Sequence, residues 1–362
     1  MLKDILQAQV NQQPEAVAVR IKIDGRYHRW SRRELWTNAL AVAGAIRDHG
    51  VGPGRRVALY AENSPQWIFA YLGIYLAGGV VIPLDAQYSE RELDTILNFA
   101  ECSIMLCSRA KREIAEKIGA IRTILEIDAD SELYHSPPME EPASRPSDDL
   151  MALIFTSGTT GDPKGVRLSV GNITSNIQSA LKLNLIRDDD IFLSLLPLHH
   201  CYALTVSVLI PLASGCPITI CTSLRGPDII DAMRETGVSI LLGVPKLFEG
   251  FDRAILDKIS ALPAWKRRMV MGLMRVSHWV RLKTNRYVGK YVFRSIHRTF
   301  GPRFRFFVSG GAKLDPAVVD RFLDMGIILV EGYGLTEAAP VVSFNPADRP
   351  KPGTVGFALP DI

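Results

Sequence analysis

Cysteine builds no framework in this chain. Its five cysteines (Cys102, Cys107, Cys201, Cys216 and Cys221) are an odd number spread over 362 residues, with no CxxC pair and no His/Cys ligand spacing. That pattern excludes a disulfide scaffold and a zinc site, and a reducing compartment is expected. The start, "MLKDILQAQVNQQPEAVAVR", carries charges inside its apolar stretch and has no small-residue cleavage site, so it does not read as a secretory signal. Two uncharged stretches, Ser64 to Leu84 and Ile191 to Leu224, reach membrane-spanning length, but neither is unbroken. "AGGVVIPL" interrupts the first, and "LPLHHCYA" and "PLASGCP" the second, so both are expected to be helix-turn-strand units of a globular core. The expected location is the cytoplasm.

Acidic residues are missing from Ile259 to Leu314. That segment holds thirteen Lys/Arg, against 29 basic and 38 acidic residues in the rest of a chain whose net charge is +4. Within it Trp265, Met269, Leu273, Val276 and Val280 recur at helical spacing beside Lys266, Arg267, Arg275 and Arg281, an amphipathic basic helix. Two readings stay open. The basic segment 265–305 docks peripherally on anionic lipid at the inner membrane face, on an acidic protein or on a phosphorylated ligand, or it is a solvated helical hairpin packed on the core. Nucleic acid is not among the expected partners.

What is present is ordinary globular composition, 47% hydrophobic and 22% charged. The length exceeds one typical core of about 100 to 200 residues, so a multi-lobed domain or two domains are expected. Short apolar or β-branched runs, "RVALYA", "SIMLCS", "LIFTS", "PITICTS", "VSILLG" and "FRFFVSG", alternate with helical segments, which indicates α/β layers with mostly parallel strands. Ser31 with Glu34 forms a capping-box pattern, and Gly50 follows the last periodic residue of that helix. "HSPPMEEPASRPSDD", His135 to Asp149, reads as a surface linker.

Directly after it, "LIFTSGTTGDPKGV" stops an apolar strand abruptly. From Thr156 to Gly165 it holds four hydroxyls, three glycines and one lysine, a composition suited to bringing backbone N–H groups and donors against phosphate oxygens. It is not a Walker loop, because Lys164 lies between Pro163 and Gly165, and not a nucleophile elbow, because Phe155 stands where glycine is required. "EGYGLTEAAP" offers Tyr333 as a stacking surface, Thr336 as a hydroxyl donor and Glu337 as a hard oxygen ligand for magnesium; its dinucleotide reading is weak because Glu337 replaces the third glycine. "FVSGGAKL" is another strand ending in small residues.

Taken in order, "TSGTTGDPKG", "LPLHHCYA", "SGGAKLDP", "EGYGLTEAAP" and "GTVGFALPDI" resemble the adenylate-forming superfamily of acyl-CoA synthetases, luciferases and peptide-synthetase adenylation domains, and most of all its long-chain fatty acid branch. The resemblance covers essentially the whole chain and implies a large N-terminal AMP-binding domain of stacked mixed and parallel sheets flanked by helices, with a small β-rich lobe. Lobes are expected at roughly 1–190, 191–320 and 321–362. It implies that Thr156, Ser157, Gly158, Thr159, Thr160, Gly161 and Lys164 grip the β- and γ-phosphates of ATP, and that Gly311, Ala312 and Lys313 lie along the adenine and acyl pocket. Glu331, Gly332 and Tyr333 would contact the base, Thr336 the α-phosphate, and Glu337 the magnesium ion, while His200 would flank the acyl carboxylate. Val206, Leu209 and Val244 suit an aliphatic tunnel, or are plain core.

The implied chemistry is attack of a carboxylate, of a fatty or other acid, on the α-phosphorus, loss of pyrophosphate, and transfer of the acyl group to the thiol of CoA. An acyl carrier protein is the alternative acceptor. A fatty acyl-AMP ligase and a non-catalytic nucleotide- or acyl-binding module remain alternatives. The sequence departs from the family after Ile362, where the ribose-holding aspartate, the hinge and the small C-terminal domain with its lysine have no counterpart. Poor adenylate formation by this chain alone is the resulting expectation.

Overall fold

A computed structural model describes residues 2–156 and 164–361. Fifteen strands are found among them: β1 (Val17–Ile23), β2 (Arg26–Ser31), β3 (Arg56–Tyr60), β4 (Val80–Leu84), β5 (Ile104–Cys107), β6 (Thr123–Glu126), β7 (Leu150–Thr156), β8 (Lys164–Ser169), β9 (Phe192–Ser194), β10 (Ile218–Ile220), β11 (Ile240–Gly243), β12 (Phe306–Ser309), β13 (Ile328–Gly334), β14 (Val341–Phe344) and β15 (Phe357–Ala358). The chain divides into two compact units. One joins Met1–Gln178, Pro197–Ile220 and Thr336–Pro340; the other joins Ser179–Leu196, Cys221–Leu335 and Val341–Ile362.

The first unit holds a six-stranded sheet in the order β6-β5-β3-β4-β7-β8, parallel throughout except for the final antiparallel pair. Strands β3, β4 and β5 are buried along nearly their whole length, as parallel strands covered on both faces must be, and their unbroken apolar runs follow from that. A smaller group, β10-β1-β2, adds one parallel and one antiparallel pair. The Ser31–Glu34 capping box opens the helix Arg32–Asp48, and a second box, Ser89–Glu92, opens Glu90–Phe99. Both uncharged stretches resolve into helix-turn-strand units: Pro65–Leu76 leads into β4, and the helical segments between Cys201 and Ser214 lead into β10. Among the described residues no helix is long and apolar enough to cross a membrane.

The segment 135–149 is more than a surface linker. Met139 and Arg145 are buried within it. The Arg145 guanidinium donates to the carbonyls of Tyr75, Gly79 and Leu150 at 3.2, 3.0 and 2.7 Å and meets Asp149 at 3.0 Å. Its rigid fork bridges the end of the helix Pro65–Leu76, the turn into β4 and the start of β7, which ties the irregular backbone to the core. The approach is close enough that a Cβ on Gly44 would stand 2.5 Å from the Pro137 carbonyl oxygen.

In the second unit β9, β11, β12 and β13 run parallel, and β14 and β15 continue the sheet antiparallel beyond β13. Its core is an aromatic cluster centred on Phe307, whose ring meets those of Phe248, Phe251, Phe300, Phe304 and Phe322 at centroid distances of 4.5 to 6.0 Å. Arg321 forks onto Asp252 at 2.6 to 3.1 Å and joins the helix Pro316–Asp324 to Pro245–Ser260. The result is an α/β architecture of mixed and parallel sheets flanked by helices.

Candidate functional site

Ligands of parallel α/β sheets collect beyond the carboxyl ends of the strands, where backbone and loop groups are free of the ladder. In the first unit that edge carries Glu62 just after β3, Asp85 just after β4 and Thr156 at the end of β7. Thr156 faces Lys164 in the antiparallel register of β7 with β8, so the two residues stand together at the mouth of a hairpin. Ser157, Gly158, Thr159, Thr160 and Gly161, which lie between them in the sequence, are outside the described residues. Lys164 is exposed and Thr156 half-buried.

Thr336, Glu337 and Ala338 form a single short 3-10 turn that packs on β8. Asn176 donates to the Ala338 carbonyl at 3.3 Å and fixes the turn from below. Glu337 is exposed, and its carboxylate has no ion pair or hydrogen bond among the described residues. It nonetheless lies close enough to Cys201 to add to the burial that pushes that thiol up to about 12. The turn therefore shares its surroundings with the "PLHH" segment that immediately precedes Cys201.

There His199 and His200 lie ring to ring, 4.0 Å between centroids. His199 is buried, with Nε2 3.6 Å from Asp85 Oδ2. Burial first, and then the adjoining His200, push its imidazole down to about 4 against the pull of Asp85. His200 presents an exposed ring, yet enough protein surrounds it to hold its pKa below the ordinary 6.5. Both rings are thus neutral at pH 7. Asn63 accepts from the Leu198 N–H at 2.9 Å and holds the segment in register.

Asp85 and His199 were not among the residues singled out from the sequence. The signal for Asp85 is an acid placed directly after the apolar run "VVIPL", at a strand's carboxyl end; its partner is remote in sequence, so nothing local links the two.

The second unit carries the other motif residues. Gly310 donates to the Gly243 carbonyl at 3.1 Å at the end of β12, and Gly311, with φ +82°, turns the chain so that Gly311, Ala312 and Lys313 are exposed. Glu331 is buried in the middle of β13. Its Oε2 has no partner among the described residues, and burial holds its pKa above the usual carboxylate range against the pull of the nearby Leu314 and Gly353 backbone and of Lys313. Gly332 is half-buried, and Tyr333 presents an exposed ring. Val206 in the first unit and Val244 in the second are half-buried, whereas Leu209 is fully buried.

A family model described as "AMP-binding enzyme" matches residues 6–362. A feruloyl-CoA synthase from an Amycolatopsis species is 27% identical over 309 residues, 85% of this chain and 55% of the relative. Long chain acyl-CoA synthetase 2 of Arabidopsis thaliana is 27% identical over 391 residues, 93% of this chain and 56% of the relative. The crystal structure of ATP-bound MatB from Rhodopseudomonas palustris superposes with a TM-score of 0.77 at 28% identity, covering 99% of this chain and 65% of that one. The chain spans about half the length of the curated relatives it matches. With a sheet edge suited to phosphate and a family match across nearly all its residues, the chain belongs to the AMP-binding enzymes.

Proposed function

We propose that the protein activates a carboxylic acid with ATP, releasing pyrophosphate and forming an acyl-AMP that is passed to the thiol of CoA. The observation that carries this is the convergence on one unit of the Thr156–Lys164 hairpin mouth and the Glu337 turn packed on the same strand. Lys164 would neutralise the β- and γ-phosphates, which the hydroxyls and glycines from Thr156 to Gly161 would grip as the family resemblance implies. Thr336 would donate to the α-phosphate. Among the described residues no three His, Cys, Asp or Glu side chains cluster as a metal cage. One exposed carboxylate without a partner suits magnesium, which is commonly held by one or two carboxylates together with substrate phosphates. Glu337 would hold the ion, which would draw charge from the phosphates. Gly311, Ala312 and Lys313 keep the place along the adenine and acyl pocket, and Glu331, Gly332 and Tyr333 the contact with the base, that the family resemblance implies.

The His199–His200 pair gives the carboxylate its handling. A neutral imidazole can donate one hydrogen bond to the acid without trapping it in a full ion pair, so the oxygen keeps its nucleophilicity. No protein nucleophile is required, because positioning and charge neutralisation carry an in-line displacement at phosphorus. A fatty acid is the first candidate substrate, supported by the long-chain relative; the feruloyl relative supports an aromatic acid as the second.

Exchange of labelled pyrophosphate into ATP, run over a panel of aliphatic and aromatic acids, tests the reading. Acid-dependent exchange that is lost in Lys164→Ala supports it. Nucleotide binding with no exchange for any acid refutes it in favour of a binding module.

A further inference from the structure

The helix Ala264–Thr284 packs on the second unit with the wrong face for an ordinary amphipathic helix. Its buried residues are Met274, Ser277 and Arg281, and the contact with the helix Pro316–Asp324 is ionic: Arg281 donates to Asp324 at 3.0 Å and to Asp320 at 2.6 Å. The apolar stripe points the other way. Trp265, Met269, Val276 and Trp279 share one face by their spacing, and the two indoles are 64% and 62% exposed. Exposed Arg268 and Arg275 border that face. Beside it an open cavity of about 540 Å³ is lined by Arg267, Arg268 and Arg275 over Leu256, Ile259 and Met271. None of Lys266, Arg267, Arg268, Arg275 and Lys283 is paired with a carboxylate among the described residues. Apolar residues exposed together in this number mark an interaction site.

We propose that this outward face is a membrane-docking surface: it lies along an anionic bilayer, with Trp265, Met269, Val276 and Trp279 in the headgroup–acyl boundary and the arginine-lined cavity receiving lipid phosphates. The charge distribution selects the occupant. A second copy of the chain would set the same five cations against themselves. An acidic protein would satisfy the cations but leaves no reason for two tryptophans at opposite ends of one face, about 21 Å apart at the helical rise. An anionic lipid surface answers both, since indoles favour the interface and each basic residue near it strengthens binding by about fivefold. The inference does not depend on the proposed acid activation.

Flotation with phosphatidylcholine vesicles, with and without phosphatidylglycerol, tests it, together with tryptophan emission. The wild-type chain floats with the anionic vesicles at least about tenfold more tightly than with neutral ones, its emission shifts to the blue, and added salt weakens binding. The double variant Trp265→Ala/Trp279→Ala loses the blue shift and about tenfold or more in affinity, and Arg268→Glu/Arg275→Glu loses at least as much. All four side chains are exposed, so thermal unfolding stays unchanged in both variants. Equal binding to neutral vesicles, no flotation, or undiminished flotation of both variants overturns the proposal. So does self-association abolished by the tryptophan substitutions without any vesicle binding, or binding to an acidic carrier protein through the same arginines without any vesicle binding.

Discussion

Acid should unfold this protein in a way that one buried imidazole controls. His199 is held at about 4, whereas an unfolded chain titrates near 6.5. Because its folded value is depressed, the unfolded state takes up the proton first, and stability falls as pH drops through the window from about 6.5 to about 4. At pH 5 the linkage relation gives a loss of about 2 kcal/mol relative to pH 7.5, rising to about 3 kcal/mol once both states are protonated. His200 adds in the same direction. Glu331 opposes, since a carboxylate whose pKa is raised in the folded state favours folding as pH falls. The informative quantity is therefore the difference between wild type and His199→Gln, measured by urea denaturation at pH 7.5 and pH 5. Glutamine can keep a polar contact to Asp85 but cannot titrate. The variant should lose about 2 kcal/mol less than wild type over that interval. Equal losses would refute the claim that His199 is buried in neutral form.

Arg145→Met should cost about 3 kcal/mol in denaturant unfolding, because the carbonyls of Gly79 and Leu150 lose the donor that Arg145 supplies, the Tyr75 carbonyl loses one of its donors, and Asp149 loses its ion-pair partner. A loss under about 1 kcal/mol would mean that water or a neighbouring group takes over those contacts. All five cysteines are buried, and burial pushes the Cys107 and Cys201 thiols up to about 12. A disulfide-exchange reagent at pH 8 should therefore label none in the native chain and five in denaturant; rapid native labelling would contradict the packing.

Much of the architecture is legible in the residues because local and global preferences agree. The runs around Val57, Met105, Ile154 and Leu241 are continuous apolar stretches and become buried strands, parallel to their neighbours except where β7 meets β8. Ser31 and Glu34 mark a helix start at the level of single hydrogen bonds. In β1, Val17, Val19, Ile21 and Ile23 alternate with Ala18, Arg20 and Lys22, but burial does not follow the alternation, since Arg20 is buried and Ile23 exposed, and β2 carries Arg and His with no apolar alternation of its own. Arg145 is hidden because a charged residue in a proline-rich stretch reads as solvated, and only the three carbonyls that converge on it explain its burial. The helix Ala264–Thr284 has a readable apolar stripe, but periodicity gives a face and not its direction; Asp320 and Asp324, well downstream, decide which side turns inward. At the candidate site, Thr156, Lys164, Thr336, Glu337 and His200 are all picked out by motif, whereas the Asp85–His199 contact is a product of the fold alone.

The central claim is that Lys164 and Glu337 serve the phosphate tail of ATP. Calorimetric titration of ATP and of AMP, each with and without magnesium, into wild type and into Lys164→Ala/Glu337→Gln tests it most directly. Loss of the Lys164 contact alone is worth about 2 kcal/mol, so ATP affinity in the double variant should fall by at least roughly thirtyfold and lose its magnesium dependence, while AMP affinity stays within about twofold. ATP binding that is unchanged in the double variant and still responds to magnesium would contradict the account.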